Sequence, residues 1–281
     1  MIEGIEKKTK ELLTILKKIN QAVIAFSGGI DSTLLAAAAF RALGDNVVAV
    51  TVVSPTLPAR ELADAEASGE KIGIRHFLLP LSELDDPAFA ANDSERCYYC
   101  KKLRFKALLA WAKERNIPWV LDGSNRDDLR DYRPGMRAIA DLKGVRSPLL
   151  EAGFTKKDIR SLSKDWGLDS WEKPASACLA SRIAYGIPLT EKALKQVELG
   201  EEILRSFCPA NTQFRLRHHG FLARIEAPSE LLPFLAAPER AKKIEEALAA
   251  LGFSFITLDL AGYRMGSMNE LIAGSEGSEK T

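Results

Sequence analysis

Runs of consecutive apolar residues alternate with helix-favouring segments along the first two thirds of the chain. The run QAVIAFS at 21–27 shows no alternation of apolar and polar positions, which is typical of a strand buried on both faces. Segments that favour helix, by apolar spacing or by residue propensity, lie between such runs. The predicted strands lie at 21–27, 46–54, 74–81 and 117–124, and the predicted helices at 3–20, 33–43, 58–73, 95–116 and 155–166.

The order of these elements predicts the fold class. Strands that alternate with helices imply an α/β fold with a doubly wound parallel sheet, here over residues 1–185. A different order follows, which predicts a smaller α+β domain over 186–270, and the polar segment 271–281 is expected to be disordered. The elements predicted for the second domain are a helix at 190–206, strands at 212–219 and 221–227, a helix at 238–250 and a strand at 253–260.

Charge and hydropathy narrow the class of protein. The 281 residues include 39 Lys and Arg and 38 Asp and Glu, a net charge of +1. Binding of nucleic acid depends on neutralising phosphates, so this balance argues against a nucleic acid as the main substrate. The charged start has no signal-peptide core, and the apolar stretch 34–40 is too short to cross a bilayer. We therefore expect a cytoplasmic protein without a membrane partner.

The strongest local motif is Ser27-Gly28-Gly29-Ile30-Asp31-Ser32, which lies between a predicted buried strand and a helix. The two glycines allow close approach to an oxyanion, and the helix start directs N–H groups at it. The serine hydroxyls add donors, and the aspartate can hold Mg²⁺. The motif lacks the lysine of the G-x-x-x-x-G-K-[ST] loop. A plain glycine turn into a helix is the alternative.

This motif resembles the PP-loop of the N-type ATP pyrophosphatases. The resemblance implies that the loop grips the pyrophosphate portion of ATP, with transfer of the α-phosphate as AMP. It also implies that the end of the second strand serves the adenine and that the end of the fourth lies beside the nucleotide. The two aspartates that follow are candidates to help bind Mg²⁺, and a solvated loop is the alternative for them. These residues are Thr51, Gly123, Asn125, Asp127 and Asp128.

Four cysteines add candidate chemistry. In a reducing compartment, the C-x-x-C pair Cys97 and Cys100 suggests metal or redox chemistry before a structural disulfide. Half of a structural zinc site is one alternative. A thioredoxin-like pair is another, although the motif is expected within a charged helix rather than at a helix start after a strand. Cys178 lies in a longer motif, described next, and Cys208 is expected to be a buried thiol.

Further strings, spread over nearly the whole chain, narrow the resemblance. The most specific is KPASACLASR at 173–182. Together the strings resemble the LarE family, the ATP-dependent sulfur transferases of nickel-pincer nucleotide synthesis. Membership would imply that pyridinium-3,5-biscarboxylic acid mononucleotide is adenylated by MgATP and converted to thiocarboxylates. The other strings are RCYYCK at 96–101, DGSN at 122–125 with DYRPG at 131–135, RLR at 215–217 and ARIE at 223–226.

The resemblance implies two possible sources of sulfur. One type of LarE protein sacrifices the cysteine that corresponds to Cys178, and the other holds a [4Fe–4S] cluster on three cysteines. This chain has the C-x-x-C that the first type lacks, so Cys97, Cys100 and Cys178 are the expected cluster ligands. Three thiolates leave one iron open for an added sulfide. The expected cofactors are therefore ATP, Mg²⁺ and a [4Fe–4S] cluster, with the sacrificial cysteine as alternative.

Residues near Cys178 and in the second domain complete the expected site. Arg215 and Arg217 alternate on a predicted strand, so both point to one face, where they could bind the substrate phosphate. A solvated basic strand is the alternative. One position of the expected substrate pocket is assigned to Glu201, and the adjacent Glu202 is the alternative for it. By the resemblance, the pocket would be lined by Ser181, Arg182 and Glu201.

The resemblance also implies partners. We expect a homo-oligomer whose product passes to a downstream nickel-insertion enzyme, with no nucleic acid partner. Two rival functions remain open from the residues. One is a PP-loop tRNA thiolase, which shares the activation chemistry. The other, of a different class, is a nucleotide-binding or iron–sulfur sensor module without catalytic activity.

Overall fold

The computed structural model describes residues 2–130, 137–139, 142–173, 177–209, 212–264 and 266–269. The strings at 131–135 and 174–176 and the predicted tail at 271–281 lie outside these ranges. Packing divides the chain into two compact units. The first comprises Met1–Glu83 and Cys97–Ser176, and the second comprises Leu84–Arg96 and Ala177–Thr281. The predicted domain boundary between residues 185 and 186 stays a prediction. None of the helices in the described ranges is both long enough and apolar enough to cross a membrane.

Helices and strands alternate through most of the chain. In chain order, the helices are α1 (Ile2–Ile19), α2 (Ile30–Leu43), α3 (Ala59–Ile72), α4 (Pro87–Ala90), α5 (Arg96–Glu114), α6 (Pro148–Glu151), α7 (Lys156–Asp165), α8 (Glu191–Phe207), α9 (Leu232–Leu235) and α10 (Pro238–Ala250). The strands are β1 (Ala22–Ala25), β2 (Val47–Val53), β3 (Arg75–Pro80), β4 (Trp119–Leu121), β5 (Val145–Arg146), β6 (Arg215–His219), β7 (Leu222–Glu226) and β8 (Phe255–Leu258).

The described part of the first unit contains a five-stranded parallel sheet in the order β3-β2-β1-β4-β5. Successive residues of β1 enter two different cores. Ala22 and Ile24 pack with residues of α1, α2 and α7, whereas Val23 packs with residues of α5. Because neighbouring strand residues point to opposite faces, a strand covered on both sides has to be apolar throughout. The predicted doubly wound α/β fold is confirmed.

The strand order places a topological switch point beside β1. The chain proceeds from β1 to β2 on one side and later returns to β4 on the other. In open α/β sheets, ligands bind at the carboxyl ends of the strands where the order reverses. The SGGIDS loop at 27–32 follows β1, and the segment 122–125 follows β4. Two of the predicted ligand-binding segments therefore leave the sheet at this point.

The predicted strands exist but are shorter than the apolar runs suggested. The run at 117–124 contains only Trp119–Leu121 in β4, and the run at 253–260 contains Phe255–Leu258 in β8. Apolar side chains continue into the core beyond the last ladder hydrogen bond, so the hydrophobic pattern extends past the strand. Strand β5 was not predicted, because its two residues carry no periodic signal.

The second unit is the predicted α+β arrangement. Its described residues form a three-stranded sheet in the order β6-β7-β8, with β6 antiparallel and β8 parallel to β7. Helix α8 packs closely on this sheet, because a Cβ at Gly200 would lie 2.7 Å from Leu216 Cδ1. The segment Leu84–Arg96 packs here as well, since the Asn92 side-chain amide donates to the carbonyls of Ala184 (2.9 Å) and Ile187 (2.8 Å).

Candidate functional site

The phosphate loop follows β1 in a conformation that requires glycine. Gly28 has φ 67°, and a Cβ there would lie 2.7 Å from the Cα of Ala65 in α3. The Ser27 N–H donates to Ser32 Oγ at 3.2 Å, which closes the loop on itself. Gly29 is the N-cap of α2 and has no side chain to accept the first-turn N–H groups. The positive end of the helix dipole is thus left for an anion.

Two lysines that the sequence analysis did not assign lie at this loop. The Lys156 ammonium is 2.5 Å from Asp31 Oδ2. The Lys173 ammonium is 3.0 Å from Asp64 Oδ2 and 3.5 Å from the Gly28 carbonyl oxygen. A loop without the lysine of the G-x-x-x-x-G-K-[ST] motif therefore receives its cations from distant segments. Their positions in the sequence could have indicated them. Lys156 is the second residue of the helix predicted at 155–166, and Lys173 is the first residue of the string at 173–182.

The end of β4 lies directly against the phosphate loop. A Cβ at Gly123 would lie 3.2 Å from both Asp31 Cβ and the Ser32 backbone nitrogen. Any side chain there would press on the first turn of α2. Asn125 is buried, and its side-chain oxygen accepts the Asp127 N–H at 3.0 Å. The structure therefore brings Gly123 next to Asp31 and Ser32, as the predicted nucleotide site requires.

Asp122 is a buried carboxylate at the same strand end. It accepts hydrogen bonds from the Ser124 N–H at 3.0 Å and the Ser147 hydroxyl at 2.7 Å, and Lys101 lies 3.1 Å away. Burial opposes ionisation, but the Lys101 charge and these hydrogen bonds outweigh it and hold the pKa of Asp122 below its usual value. Asp122 therefore stays charged near neutral pH and holds Lys101 at the strand end.

Asp127 and Asp128, the predicted Mg²⁺ helpers, hold backbone groups. Asp127 Oδ2 accepts the Lys156 N–H at 2.7 Å, and Asp128 Oδ2 accepts the Asn125 N–H at 3.0 Å. These bonds fix the turn after β4 and the start of α7. Thr155 and Asp158 form a capping box at the start of that helix. The role of the two aspartates in Mg²⁺ binding stays a prediction.

Thr51, the predicted adenine-site residue, is buried in β2. Its hydroxyl donates to the Phe26 carbonyl at 2.8 Å, so the His76 Nε2 at 2.7 Å has to donate to the hydroxyl oxygen. Burial lowers the pKa of His76, against the opposing charge of Glu66, which keeps the ring neutral. The Thr51 hydroxyl thus both donates and accepts within the protein, and its role in an adenine site stays a prediction.

A buried charged cluster lies after the end of β2. Glu83 is fully buried, and its Oε1 accepts a hydrogen bond from Arg104 Nε at 2.5 Å. Arg104 also donates to the hydroxyls of Ser54 and Thr56, both at 2.9 Å. The Cys100 Sγ lies 3.6 Å from Glu83 Oε1. Glu83 and Arg104, which no sequence motif marks, tie one cysteine of the C-x-x-C motif to the strand end.

The C-x-x-C motif lies near the start of the helix that was predicted at 95–116. Helix α5 begins at Arg96, so Cys97 and Cys100 are its second and fifth residues, three apart and on one face. As expected, the segment directly before the helix is a turn and not a strand. A helix N-terminus stabilises thiolates, which are the form that binds iron or zinc. Because a helix start also suits a redox pair, that alternative stays open.

The three predicted cluster ligands do not form a metal-binding group in the described ranges. No set of three or more His, Cys, Asp or Glu side chains there is arranged to hold a metal ion. Cys97 and Cys100 belong to the first unit and Cys178 to the second. The donor chemistry suits an iron–sulfur cluster, because each residue is a free cysteine. A cluster held by all three stays a proposal.

In the second unit, Arg182 organises the backbone around Cys178. Its guanidinium donates to the carbonyl of Ala177 and, at 3.0 Å, to that of Cys178. The Ser181 hydroxyl donates to the same Cys178 carbonyl at 2.7 Å. Arg182 Nε is paired with Glu201 Oε1 at 3.0 Å, and both side chains are nearly buried. Two residues predicted for one pocket, Ser181 and Arg182, thus hold the cysteine loop by its main chain, and the third, Glu201, holds Arg182.

The two arginines of β6 have different surroundings. Arg217 is buried and bonded to Glu226 Oε2 at 2.7 Å, so the alternative of a solvated basic strand is wrong for it. Its guanidinium also donates to the Ser181 carbonyl at 3.3 Å. Arg215 is half-buried, 5.3 Å from the centre of the Tyr263 ring. Burial and the nearby Arg182 charge lower the pKa of Arg215. Binding of the substrate phosphate by either arginine stays a prediction.

Substitution of each of the two adjacent glutamates, Glu201 and Glu202, tests which of them is paired with Arg182. Glu201→Gln leaves a buried guanidinium without its counter-charge, and we expect it to lower the free energy of unfolding by about 3–5 kcal/mol. Glu202 is exposed and paired with the half-buried Arg205, so Glu202→Gln should change stability by at most about 0.5 kcal/mol. Urea unfolding of both variants checks this. Equal losses for the two would contradict the assignment of Glu201 to the buried pair.

The chain is similar in sequence to several known proteins. The family model described as NAD synthase matches residues 2–120. An uncharacterized protein of Synechocystis sp. is 40% identical over 268 residues, 95% of this chain and 99% of the relative. The pyridinium-3,5-bisthiocarboxylic acid mononucleotide synthase of Lactiplantibacillus plantarum is 37% identical over 271 residues, 96% of each chain. A tRNA-specific 2-thiouridylase of Wolbachia pipientis is 27% identical over 220 residues, 64% of this chain and 59% of the relative.

Proposed function

This chain belongs to the LarE family of pyridinium-3,5-bisthiocarboxylic acid mononucleotide synthases, and we propose that it catalyses that reaction itself. It is an ATP-dependent sulfur transferase that acts on a pyridinium nucleotide. In the proposed reaction, each carboxylate of pyridinium-3,5-biscarboxylic acid mononucleotide is first adenylated and then converted to a thiocarboxylate. The observation that carries the proposal is the phosphate loop at 27–32, which leaves β1 at the switch point of the parallel sheet.

Adenylation solves a leaving-group problem. A carboxylate oxygen is a poor leaving group, whereas AMP is a good one, so activation makes the carbonyl carbon open to attack by sulfur. In the first step, a carboxylate oxygen of the substrate forms a bond to the α-phosphorus, and the bond from that phosphorus to the bridging oxygen breaks. The pyrophosphate leaves with the electron pair. The loop amides and the start of α2 stabilise the charge on the departing group.

The second unit supplies the sulfur-bearing residue and its support. Arg182 and Ser181 bind the carbonyl of Cys178, and Glu201 neutralises Arg182. This arrangement fixes the main chain of the cysteine while leaving its thiol half-exposed. Of the two arginines of β6, we propose that Arg215, rather than Arg217, binds the substrate phosphate. Arg217 is already neutralised by Glu226, whereas a partly desolvated guanidinium such as Arg215 gains from an anion.

We propose that the sulfur is carried by a [4Fe–4S] cluster on Cys97, Cys100 and Cys178. Support comes from the free thiols of these three cysteines, two of which lie on one face near the start of α5. A cluster with three protein ligands supplies an open iron that can carry an additional sulfide. The alternative is sacrifice of the Cys178 sulfur. Resemblance to the family further supports a cytoplasmic homo-oligomer that passes its product to a nickel-insertion enzyme.

The activation step is tested with labelled ATP. We expect release of AMP and pyrophosphate that depends on both Mg²⁺ and the biscarboxylic acid mononucleotide. Formation of ADP and inorganic phosphate, or no nucleotide turnover with the complete substrate, would contradict the proposal. A sensor module without catalytic activity would likewise show no ATP–pyrophosphate exchange.

The sulfur source is tested on protein purified without oxygen. A cluster predicts close to four iron atoms and a broad absorbance near about 400 nm. The iron content and the absorbance should both fall sharply in Cys97→Ser and Cys100→Ser. Cys208→Ser should keep both, because Cys208 is a free cysteine that is not a proposed cluster ligand. A colourless protein with less than about one iron per chain would exclude the cluster and favour sacrifice of Cys178.

A tRNA thiolase is the second candidate, because similarity to a tRNA-specific 2-thiouridylase extends over 220 residues. That similarity covers 59% of the relative, against 96% for the Lactiplantibacillus plantarum enzyme. The net charge of +1 also disfavours RNA. Gel shifts with bulk tRNA at two salt concentrations separate the candidates, since true RNA binding weakens steeply with salt.

A further inference from the structure

Lys156 lies at the phosphate loop with its backbone fixed. It is the first residue of α7, behind the capping box of Thr155 and Asp158. Its own N–H donates to Asp127 Oδ2 at 2.7 Å. A helix start held by its cap on one side and by a carboxylate on the other has little freedom to move. The structure thus fixes the main chain of Lys156, and only the flexible side chain can change position.

The side chain of Lys156 is paired with the aspartate of the loop. Its ammonium lies 2.5 Å from Asp31 Oδ2, and the two side chains keep 37% and 28% of their exposure. A pair this accessible contributes little to stability and breaks at low cost. It contrasts with the Arg217–Glu226 pair, whose side chains are at most 7% exposed. The Lys156–Asp31 pair is therefore suited to exchange partners.

Both members of the pair are groups that MgATP can use. Asp31 is the second residue of α2 and the predicted Mg²⁺ ligand, and an ammonium is a common partner of phosphate oxygens. An unneutralised carboxylate at the loop would repel the phosphates of ATP. Lys156 removes that repulsion in the protein without nucleotide. When MgATP arrives, the metal can take the carboxylate and the phosphates can take the ammonium.

We propose that Lys156 is a phosphate-binding residue of the MgATP site, paired with Asp31 until the nucleotide enters. This proposal rests on the proposed function, because it assigns a ligand to the pyrophosphate that adenylation releases. Lys156 contacts the β- or γ-phosphate in the bound state. As the bond from the α-phosphorus to the bridging oxygen breaks, the ammonium stabilises the negative charge that moves onto pyrophosphate. No proton has to move in this step.

The test compares ligands that do and do not carry the outer phosphates. Lys156→Gln should weaken binding of sodium pyrophosphate about 10- to 100-fold, the effect of one charge-assisted hydrogen bond. Binding of AMP should change by less than about twofold, because AMP lacks those phosphates. Lys157→Gln is the matched control, since Lys157 is the next residue and is exposed. It should leave both affinities within about twofold of wild type. Calorimetry on the full chain measures each constant.

A double variant separates phosphate binding from neutralisation of Asp31. If Lys156 contacts phosphate, Asp31→Asn with Lys156→Gln should bind Mg²⁺-free pyrophosphate at least about 10-fold more weakly than Asp31→Asn alone. If Lys156 only neutralises Asp31, the double variant will match Asp31→Asn, and the proposal is overturned. Equal weakening of AMP and pyrophosphate by Lys156→Gln would overturn it too. Thermal unfolding verifies that each variant is folded.

The outcome also separates this proposal from the proposed function. Wild-type protein that releases AMP and pyrophosphate, combined with a Lys156→Gln variant that behaves like Lys157→Gln, would refute the role of Lys156 alone. Wild-type protein that binds neither ATP nor pyrophosphate would refute the proposed function itself.

Discussion

Cys178→Ala is expected to abolish formation of the thiocarboxylate product while AMP formation continues. The side chain lost is the thiol that either carries the sulfur or ligates the cluster that does. We expect product to fall by about three orders of magnitude or more, as for loss of a nucleophile. The Cys178 carbonyl, which accepts bonds from Ser181 and Arg182, remains in the variant, so the loop should keep its conformation. Mass spectrometry of the nucleotide product and a separate AMP assay measure both effects.

Cys208→Ala serves as the matched control for the cysteine variant. Burial raises the pKa of Cys208, despite the nearby Arg205, so its thiol stays protonated and is a poor ligand or nucleophile. We expect full product formation in this variant. If Cys178→Ala makes product at the wild-type rate, neither sulfur source proposed for this chain operates. Where the sacrificial route operates, spent wild-type enzyme should be lighter by about 34 Da, the mass of the lost H₂S.

Gly28→Ala is expected to eliminate ATP–pyrophosphate exchange and to destabilise the first unit. The residue has φ 67°, and an added Cβ would lie 2.7 Å from the backbone Cα of Ala65, which cannot give way as a flexible side chain could. Left-handed strain costs about 1–2 kcal/mol and overpacking about 1–3 kcal/mol. Displacement of the loop amides from the phosphates should reduce exchange about 100-fold or more. Urea unfolding and radiolabel exchange measure the two losses.

Gly29→Ala distinguishes the two glycines of the loop. Gly29 has φ −75°, and its added Cβ would meet only the Ser27 hydroxyl, at 3.3 Å. We expect its free energy of unfolding to stay within about 1 kcal/mol of wild type. A Gly28→Ala protein as stable and as active as wild type would show that the packing of the loop against α3 is unimportant.

The hydrophobic pattern predicted the sheet because burial on both faces leaves a local trace. Val47 and Val48 of β2 face different cores, so both have to be apolar, and an unbroken apolar run records this. The glycines of the phosphate loop are local requirements of the same kind, since Gly28 is needed for its own dihedral angle. Fold class and phosphate loop were therefore readable from neighbouring residues alone.

Element ends and short elements were not readable in this way. A strand ends where its ladder hydrogen bonds end, whereas apolar residues continue as far as the core does. The run at 21–27 therefore extends past β1, which ends at Ala25. The helix predicted at 95–116 is α5, Arg96–Glu114, whose ends differ from the prediction by one and two residues.

The sequence by itself determined the α/β class, the phosphate loop and the cysteines, because each depends on residues close together in the chain. Only the tertiary structure decided which charges meet. Lys156 reaches Asp31 across 125 positions of sequence, and Arg104 reaches Glu83 across 21. It also decided that Glu201, not Glu202, faces Arg182. Ion pairs form wherever folding brings opposite charges together, and no periodicity along the chain records that distance.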